Sequence, residues 1–113
     1  MISVGPDDTL TTAFQRMRGA EVSQLPVLRE GKLLGIVDES DLLMRVHDDP
    51  KVFATTVAHA MTRQVETVKP DASLATVQSI LERGLVVLVA DGERFYGMIT
   101  RFDLLNHLRR SLA

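Results

Sequence analysis

The sequence of 113 residues has no cysteine and no tryptophan, and only four phenylalanines and one tyrosine. Without cysteine there are no disulfides or thiolate metal ligands, and nothing suggests secretion. Because hydrophobic residues still make up 45% of the chain, we expect an aliphatic core. The net charge of −2 lacks the basic excess of nucleic-acid binders. No apolar run could span a membrane and no leader opens the chain, so we expect a soluble, cytoplasmic protein without a membrane partner.

An internal repeat is the main feature that the sequence does contain. The segment GIVDESDLL at 35–43 returns as GMITRFDLL at 97–105, and VGPDDTL at 4–10 returns as VKPDASL at 68–74. Such a period indicates two copies of one supersecondary unit, each too small to bury a core alone. The second copy is two residues shorter, because the offset falls from 64 residues in the early match to 62 in the later one.

Hydrophobic periodicity and turn residues predict the order β-α-β-β-α in both copies. In repeat 1 we expect strands at 2–4, 24–28 and 33–37, a hairpin turn at 29–32, a second helix from about Ser40, and a first helix that Gly19 ends. The buried face of that first helix is predicted from its i, i+3, i+4, i+7 spacing to hold Leu10, Ala13, Phe14 and Met17. In repeat 2 we expect strands at 65–68, 85–90 and 95–99, a turn at 91–94, and helices from Leu74 and up to Leu112.

The predicted fold class is therefore α+β. A three-stranded sheet with helices on one face leaves its other face open, so we expect the two repeats to pack by a pseudo-twofold through their sheets, with the helices outside. The predicted division is repeat 1 at 1–49, a linker helix at 50–64 and repeat 2 at 65–113.

Each repeat places an aspartate where a strand passes into a helix, Asp41 in the first and Asp103 in the second. Such junctions are frequent ligand sites in α/β units. An aspartate before an apolar helix can equally be a plain helix cap, and this alternative stays open for both residues. Three residues earlier the copies differ, because Thr100 of repeat 2 is replaced by Asp38 in repeat 1.

The pattern Gly-hydrophobic-hydrophobic-Thr-x-x-Asp-Leu-Leu after a Pro-Val strand, repeated after the linker Ala60-Met61-Thr62, resembles a pair of CBS domains, a Bateman module. Repeat 2 is most similar to the C-terminal regulatory region of a bacterial cystathionine β-synthase. Repeat 1 has no counterpart of the Met-Thr lead-in, so we expect it to be truncated there. The resemblance implies a non-catalytic module that binds S-adenosylmethionine or, next, AMP or ATP, and regulates an attached pyridoxal-phosphate enzyme. It also implies a homodimer formed through these modules.

The resemblance further implies two clefts, each with residues from both repeats. In the first, Asp103 would accept hydrogen bonds from the ribose hydroxyls, Thr100 would face the 5′ substituent and Met98 would line the adenine slot. The residues that it assigns to this cleft are Asp103, Thr100, Met98 and Phe102, with Ile2, Val22 and Ser23. Those of the second, weaker cleft are Asp41, Asp38, Ile36 and Val86.

Asp38 places a second carboxylate where a ligand phosphate would lie. We therefore expect the second cleft to be empty, with Asp38 solvated or capping a helix, or else to accept a cationic or neutral 5′ group such as a sulfonium.

No residue set predicts catalysis or a metal site, because the three histidines are far apart and nucleophile signatures are absent. Two alternative functions remain open. One is an AMP- or ATP-sensing CBS pair from another host protein, and the other is a ligand-free dimerisation module.

Overall fold

The computed structural model describes residues 2–92 and 94–111, and the chain forms two compact units, residues 1–65 and 66–113. Glu93 of the predicted turn and Leu112 of the predicted last helix lie outside the described residues. The first unit contains helices α1 (Leu10–Ala20) and α2 (Glu39–Asp48), strands β1 (Gln24–Arg29) and β2 (Lys32–Asp38), and two 3₁₀ helices, Pro50–Ala54 and Val57–His59. The second contains β3 (Thr67–Val68), α3 (Leu74–Glu82), β4 (Val87–Asp91), β5 (Arg94–Ile99) and α4 (Arg101–Ser111).

The sheet of the first unit is the antiparallel hairpin of β1 and β2. Its two-residue turn places Glu30 and Gly31 at φ values of 52° and 79°, as in the type I′ turns that suit twisted hairpins. The strand expected at 2–4 is reduced to a single parallel bridge between Val4 and Val27, because the chain turns at Pro6 immediately afterwards.

The sheet of the second unit has three strands in the order β3-β4-β5. β3 is parallel to β4, and β4 is antiparallel to β5. This unit follows the predicted order β-α-β-β-α, and the mixed α+β class is confirmed. β3 contains only Thr67 and Val68 of the four residues expected.

The predicted end of α1 at Gly19 is wrong. The helix continues to Ala20, and Glu21 takes the left-handed conformation with φ of 57°. The N–H groups of Glu21 and Val22 donate to the carbonyls of Arg18 and Met17, which is the Schellman pattern of helix termination. These two bonds, and not a glycine, stabilise the end of the helix and fix the backbone of Val22.

Buried hydrophobic side chains form one core in each unit, and among the described residues all of them are aliphatic or methionine. The expectation of an aliphatic core is thus confirmed. The first core includes Leu10, Val27 and Val37, and the second is built from Val77, Ile80, Leu81 and Val87. Phe14, expected in the buried face of α1, is 42% exposed. It packs against Phe53, with 6.1 Å between the two ring centroids.

The segment after α2 folds onto the first unit. Where one linker helix was expected, two 3₁₀ helices form, because residues 55–56 between them pair with the start of α1. The N–H of Leu10 donates to the carbonyl of Thr55 at 2.9 Å, and Thr9 and Thr56 form an antiparallel bridge. No described helix is both long enough and apolar enough to cross a membrane.

Candidate functional site

Asp103 and Thr100 form a reciprocal pair at the start of α4. The Asp103 carboxylate oxygen Oδ2 accepts hydrogen bonds from the Thr100 N–H at 2.8 Å and from the Thr100 hydroxyl at 3.1 Å. In return, the Asp103 N–H donates to the Thr100 hydroxyl oxygen at 3.3 Å. This is the geometry of a capping box, with the threonine as N-cap and an acidic residue at the third helical position. The capping role considered for Asp103 is therefore real.

Capping uses only one oxygen of the Asp103 carboxylate. No hydrogen bond from the described part of the chain reaches the other oxygen, Oδ1, and the residue is exposed. A carboxylate acceptor makes strong hydrogen bonds with hydroxyl donors. The capping box holds the carboxylate in one orientation and leaves Oδ1 without a hydrogen bond from the described residues.

At the equivalent positions of repeat 1, Asp38 and Asp41, the helix cap is formed by the earlier residue. Asp38 is the N-cap of α2, and its Oδ1 accepts a hydrogen bond from the Ser40 N–H at 2.7 Å. The alternative that Asp38 acts as a helix cap is thus confirmed. Asp41 is exposed and accepts no hydrogen bond from the described residues. At these two positions repeat 1 therefore has two carboxylates, whereas repeat 2 has one carboxylate and one hydroxyl.

The hairpin of the second unit brings Val86 and Thr100 to one end, because Val87 pairs with Ile99. Met98 pairs with Leu88 and is half-buried. Phe102 lies in the first turn of α4 and is 79% exposed. The predicted residues of repeat 2 thus lie at or beside the junction between β5 and α4, while their contacts with a ligand stay predictions.

In the first unit, the predicted residues also lie around the start of the hairpin. The Ser23 carbonyl accepts a hydrogen bond from the Glu39 N–H at 2.8 Å, which places Ser23 beside the junction of β2 and α2. The parallel bridge of Val4 to Val27 directs Ile2 towards the start of β1, which Val22 and Ser23 precede. Ile2 and Val22 are exposed, whereas Ile36 exchanges backbone hydrogen bonds with Thr62.

One residue of interest was missed by the sequence reasoning. The offset of 64 residues places Glu66 where repeat 1 has Ile2. Glu66 is held by Arg83, with 2.9 Å between Oε1 and Nη1. The offset of 64 residues between the repeats could have identified Glu66 from the sequence.

No cluster of metal-ligating side chains is found among the described residues.

Comparison with known proteins agrees with the presence of two similar strand-to-helix junctions, one in each unit. The family model for the CBS domain matches residues 1–48 and again residues 57–110. The chain belongs to the CBS domain family. An inosine-5′-monophosphate dehydrogenase of Nitrosopumilus maritimus is 32% identical over 93% of the chain, and a cystathionine beta-synthase of Dictyostelium discoideum is 27% identical over 97%. The CBS pair spans only 22% and 23% of those two relatives.

The fold is shared with a solved CBS protein. CBSX2, crystallised in complex with AMP, is 21% identical with a TM-score of 0.87, covering the whole of this chain and 90% of its own. CBS pairs are regulatory modules that commonly bind adenosine ligands, often form dimers and are often attached to catalytic domains.

Proposed function

We propose that this CBS pair is a regulatory module that senses an adenosine-containing ligand through the junction of β5 and α4. Asp103 accepts hydrogen bonds from the ribose hydroxyls, Thr100 faces the 5′ substituent, and Met98 and Phe102 provide apolar surface. In the first unit, Ile2, Val22 and Ser23 are proposed as the surface that can contact an adenine ring. We place the module in the cytoplasm, where such ligands are plentiful.

The observation that supports this proposal is the free oxygen of Asp103. Oδ2 is fixed by the two Thr100 donors at 2.8 and 3.1 Å, so the carboxylate does not need to be ordered when a ligand arrives. Preorganised groups lose less conformational freedom on binding and so cost less affinity. Asp38 lacks such a partner pair and adds a second negative charge beside Asp41, which disfavours a phosphorylated ligand in repeat 1.

We propose S-adenosylmethionine as the first ligand to test and an attached enzyme of the cystathionine β-synthase type as the host. The similarity of repeat 2 to that family supports both, as does the relative from Dictyostelium discoideum. AMP or ATP is the second candidate, with another host protein. The dehydrogenase relative and the AMP complex of CBSX2 support this second assignment.

A ligand can regulate the host only through its different affinity for two arrangements of the module. Asp103 lies in the first turn of α4, so a ribose bound there adds hydrogen bonds at the helix start. We propose that the ligand acts by favouring the arrangement of the module in which Asp103 can accept these hydrogen bonds.

Thermal unfolding with each ligand tests the proposal. At a concentration of one hundred times its dissociation constant, a true ligand adds about 2.7 kcal/mol to the free energy of unfolding. S-adenosylmethionine, AMP, ATP and adenosine are added in turn. A shift with ATP but none with S-adenosylmethionine would remove the first ligand assignment, and no shift with any compound would remove the sensor function.

The matched variants are Asp103→Asn and Ser73→Ala. The asparagine carbonyl can still accept from the Thr100 N–H, so the helix start is kept while the charged acceptor for the ribose is lost. Ser73→Ala removes a comparable cap, the 3.2 Å bond from the Thr76 N–H, at the start of α3. We expect Asp103→Asn to weaken binding at least about tenfold and so to reduce the ligand shift, and Ser73→Ala to keep the full shift.

A ligand-free dimerisation module is the second candidate, and exposed apolar side chains on α2 and α4 favour it. Leu43 and Met44 of α2 are 65% and 72% exposed, and Leu105 of α4 is 60% exposed. We take these side chains as candidates for an interaction surface, because removing apolar area from water favours association. Sedimentation of the wild type and of Leu105→Glu tests the homodimer that we propose in either case. A dimer that Leu105→Glu dissociates, with no ligand shift in the wild type, would favour this candidate over the sensor.

A further inference from the structure

The Thr100 hydroxyl already uses its proton within the second unit. A hydroxyl group has one proton to donate, and that of Thr100 goes to the Asp103 carboxylate oxygen Oδ2, with 3.1 Å between the two oxygens. The Thr100 N–H donates to the same Oδ2 at 2.8 Å, and the hydroxyl oxygen accepts the Asp103 N–H at 3.3 Å. Towards a ligand Thr100 therefore presents an oxygen lone pair, and a lone pair does not bind an anionic group.

Arg101 is the cationic side chain next to Thr100. It is the first residue of α4, it is exposed, and no hydrogen bond or ion pair joins its side chain to the described residues. Ion pairs within a helix form between residues three or four positions apart, and Leu104 and Leu105 stand at those positions from Arg101. Because α4 provides no acidic partner there, the guanidinium donors of Arg101 are available to a ligand.

The first turn of a helix is a less favourable place for a cation than the last turn, because of the helix dipole. In repeat 1 the equivalent residue, 62 positions earlier, is the acidic Glu39. The other two arginines of α4, Arg109 and Arg110, lie in its last turn, as the dipole favours. Arg101 departs from this preference and has no compensating partner among the described residues. Such departures from local preference are expected at functional sites.

We propose that Arg101 is a specificity-determining residue that binds the anionic group of the ligand's 5′ substituent. This rests on the proposed function, in which Asp103 binds the ribose and the 5′ substituent faces Thr100. The anionic group is a phosphate in AMP or ATP and the methionyl carboxylate in S-adenosylmethionine. Arginine binds either group through two parallel N–H donors. All the residues that the inference uses belong to the second unit.

The charge of the corresponding turn in repeat 1 agrees with this assignment. That turn is acidic at all three positions, Asp38, Glu39 and Asp41, and acidic side chains repel an anionic group. In repeat 2 the carboxylate of Asp103 stands two residues from the Arg101 cation. Repeat 2 thus has one charge suited to the ribose hydroxyls and an opposite charge suited to an anionic 5′ group.

The test measures dissociation constants by calorimetry for two matched pairs of ligands. AMP is paired with adenosine, which lacks the phosphate, and S-adenosylmethionine with 5′-methylthioadenosine, which lacks the methionyl carboxylate. We expect Arg101→Gln to weaken binding of AMP, S-adenosylmethionine or both by about threefold to tenfold and to leave the two neutral compounds unchanged. Arg101→Lys keeps the charge and should recover part of the loss. The control Arg109→Gln removes the same charge from the last turn of α4 and should bind all four compounds as the wild type does.

The pattern of losses in Arg101→Gln also identifies the anionic group. A loss with AMP alone supports the inference for a phosphate, and a loss with S-adenosylmethionine alone supports it for a carboxylate. Unchanged affinity for both, or an equal loss with the neutral compounds, would overturn the role of Arg101 and leave the proposed function standing. A wild type that binds none of the four compounds would overturn the proposed function, and the role of Arg101 with it.

Discussion

Replacement of Gly35 by alanine should destabilise the first unit through one backbone contact. A Cβ at this position would collide with the Thr62 carbonyl oxygen, and the Thr62 carbonyl carbon and the Arg63 Cα also lie against it. All three are backbone atoms, so no flexible side chain can move away. Relief requires the chain at Thr62 to separate from β2.

That separation would break two hydrogen bonds between Ile36 and Thr62, of 3.0 and 2.8 Å. At about 0.5 to 1.5 kcal/mol for each bond, with some strain, the expected loss is about 2 kcal/mol. For a chain of this size, this lowers the melting temperature by about 8 °C, measurable by circular dichroism.

Gly19→Ala provides the matched control, because Gly19 lies in α1 with open space around the added methyl group. Alanine is the better helix former, so this variant should gain about 0.5 to 1 kcal/mol. If Gly35→Ala melts within error of the wild type, or if both variants shift in the same direction, the close approach at Thr62 is not what constrains this glycine.

Two further predictions concern the helix starts. Asp38→Thr gives repeat 1 the residue that repeat 2 has at this position, and threonine can still act as the N-cap of α2. Because the variant removes a carboxylate that repels phosphate, the number of AMP molecules bound per chain should rise from about one to about two, as measured by calorimetry. If the number of AMP molecules bound per chain stays the same, the Asp38 carboxylate is not what keeps AMP out of repeat 1. Ser73→Ala should lower the free energy of unfolding by about 1 kcal/mol, read by urea denaturation, since α3 loses the bond from the Thr76 N–H. No loss would mean that water replaces this cap.

The repeat and the hydrophobic periodicity were sufficient to predict most of the fold. The hairpin turn at Glu30-Gly31 and the second hairpin follow from local turn chemistry, which short segments determine. Of the two main errors, the first has a local cause and the second a tertiary one. α1 passes Gly19 because Glu21 and Val22 can satisfy its last carbonyls, and the segment after α2 is interrupted because Thr55 and Thr56 pair with the start of α1.

For the candidate site, the sequence predicted which residues stand at the two junctions but not how their atoms are used. The spacing of Thr100 and Asp103 fits both a capping box and a ligand site. The structure shows that the cap occupies one carboxylate oxygen, while the other accepts no hydrogen bond from the described residues. The hydrogen bond from the Arg16 guanidinium to the Ser3 carbonyl could not be predicted, because the two residues lie thirteen positions apart in the sequence.

Ligand analogues that lack the ribose hydroxyls test directly whether Asp103 binds these hydroxyls. Calorimetry compares AMP with 2′,3′-dideoxy-AMP, and S-adenosylmethionine with its dideoxy analogue, on the wild type and on Asp103→Asn. Hydrogen bonds to a charged acceptor contribute about 1.5 to 3 kcal/mol each, so removal of the hydroxyls should weaken wild-type binding at least about tenfold. Asp103→Asn should bind a nucleotide and its dideoxy analogue with similar, weak affinity. A wild type that binds both forms equally well would show that Asp103 does not recognise the ribose.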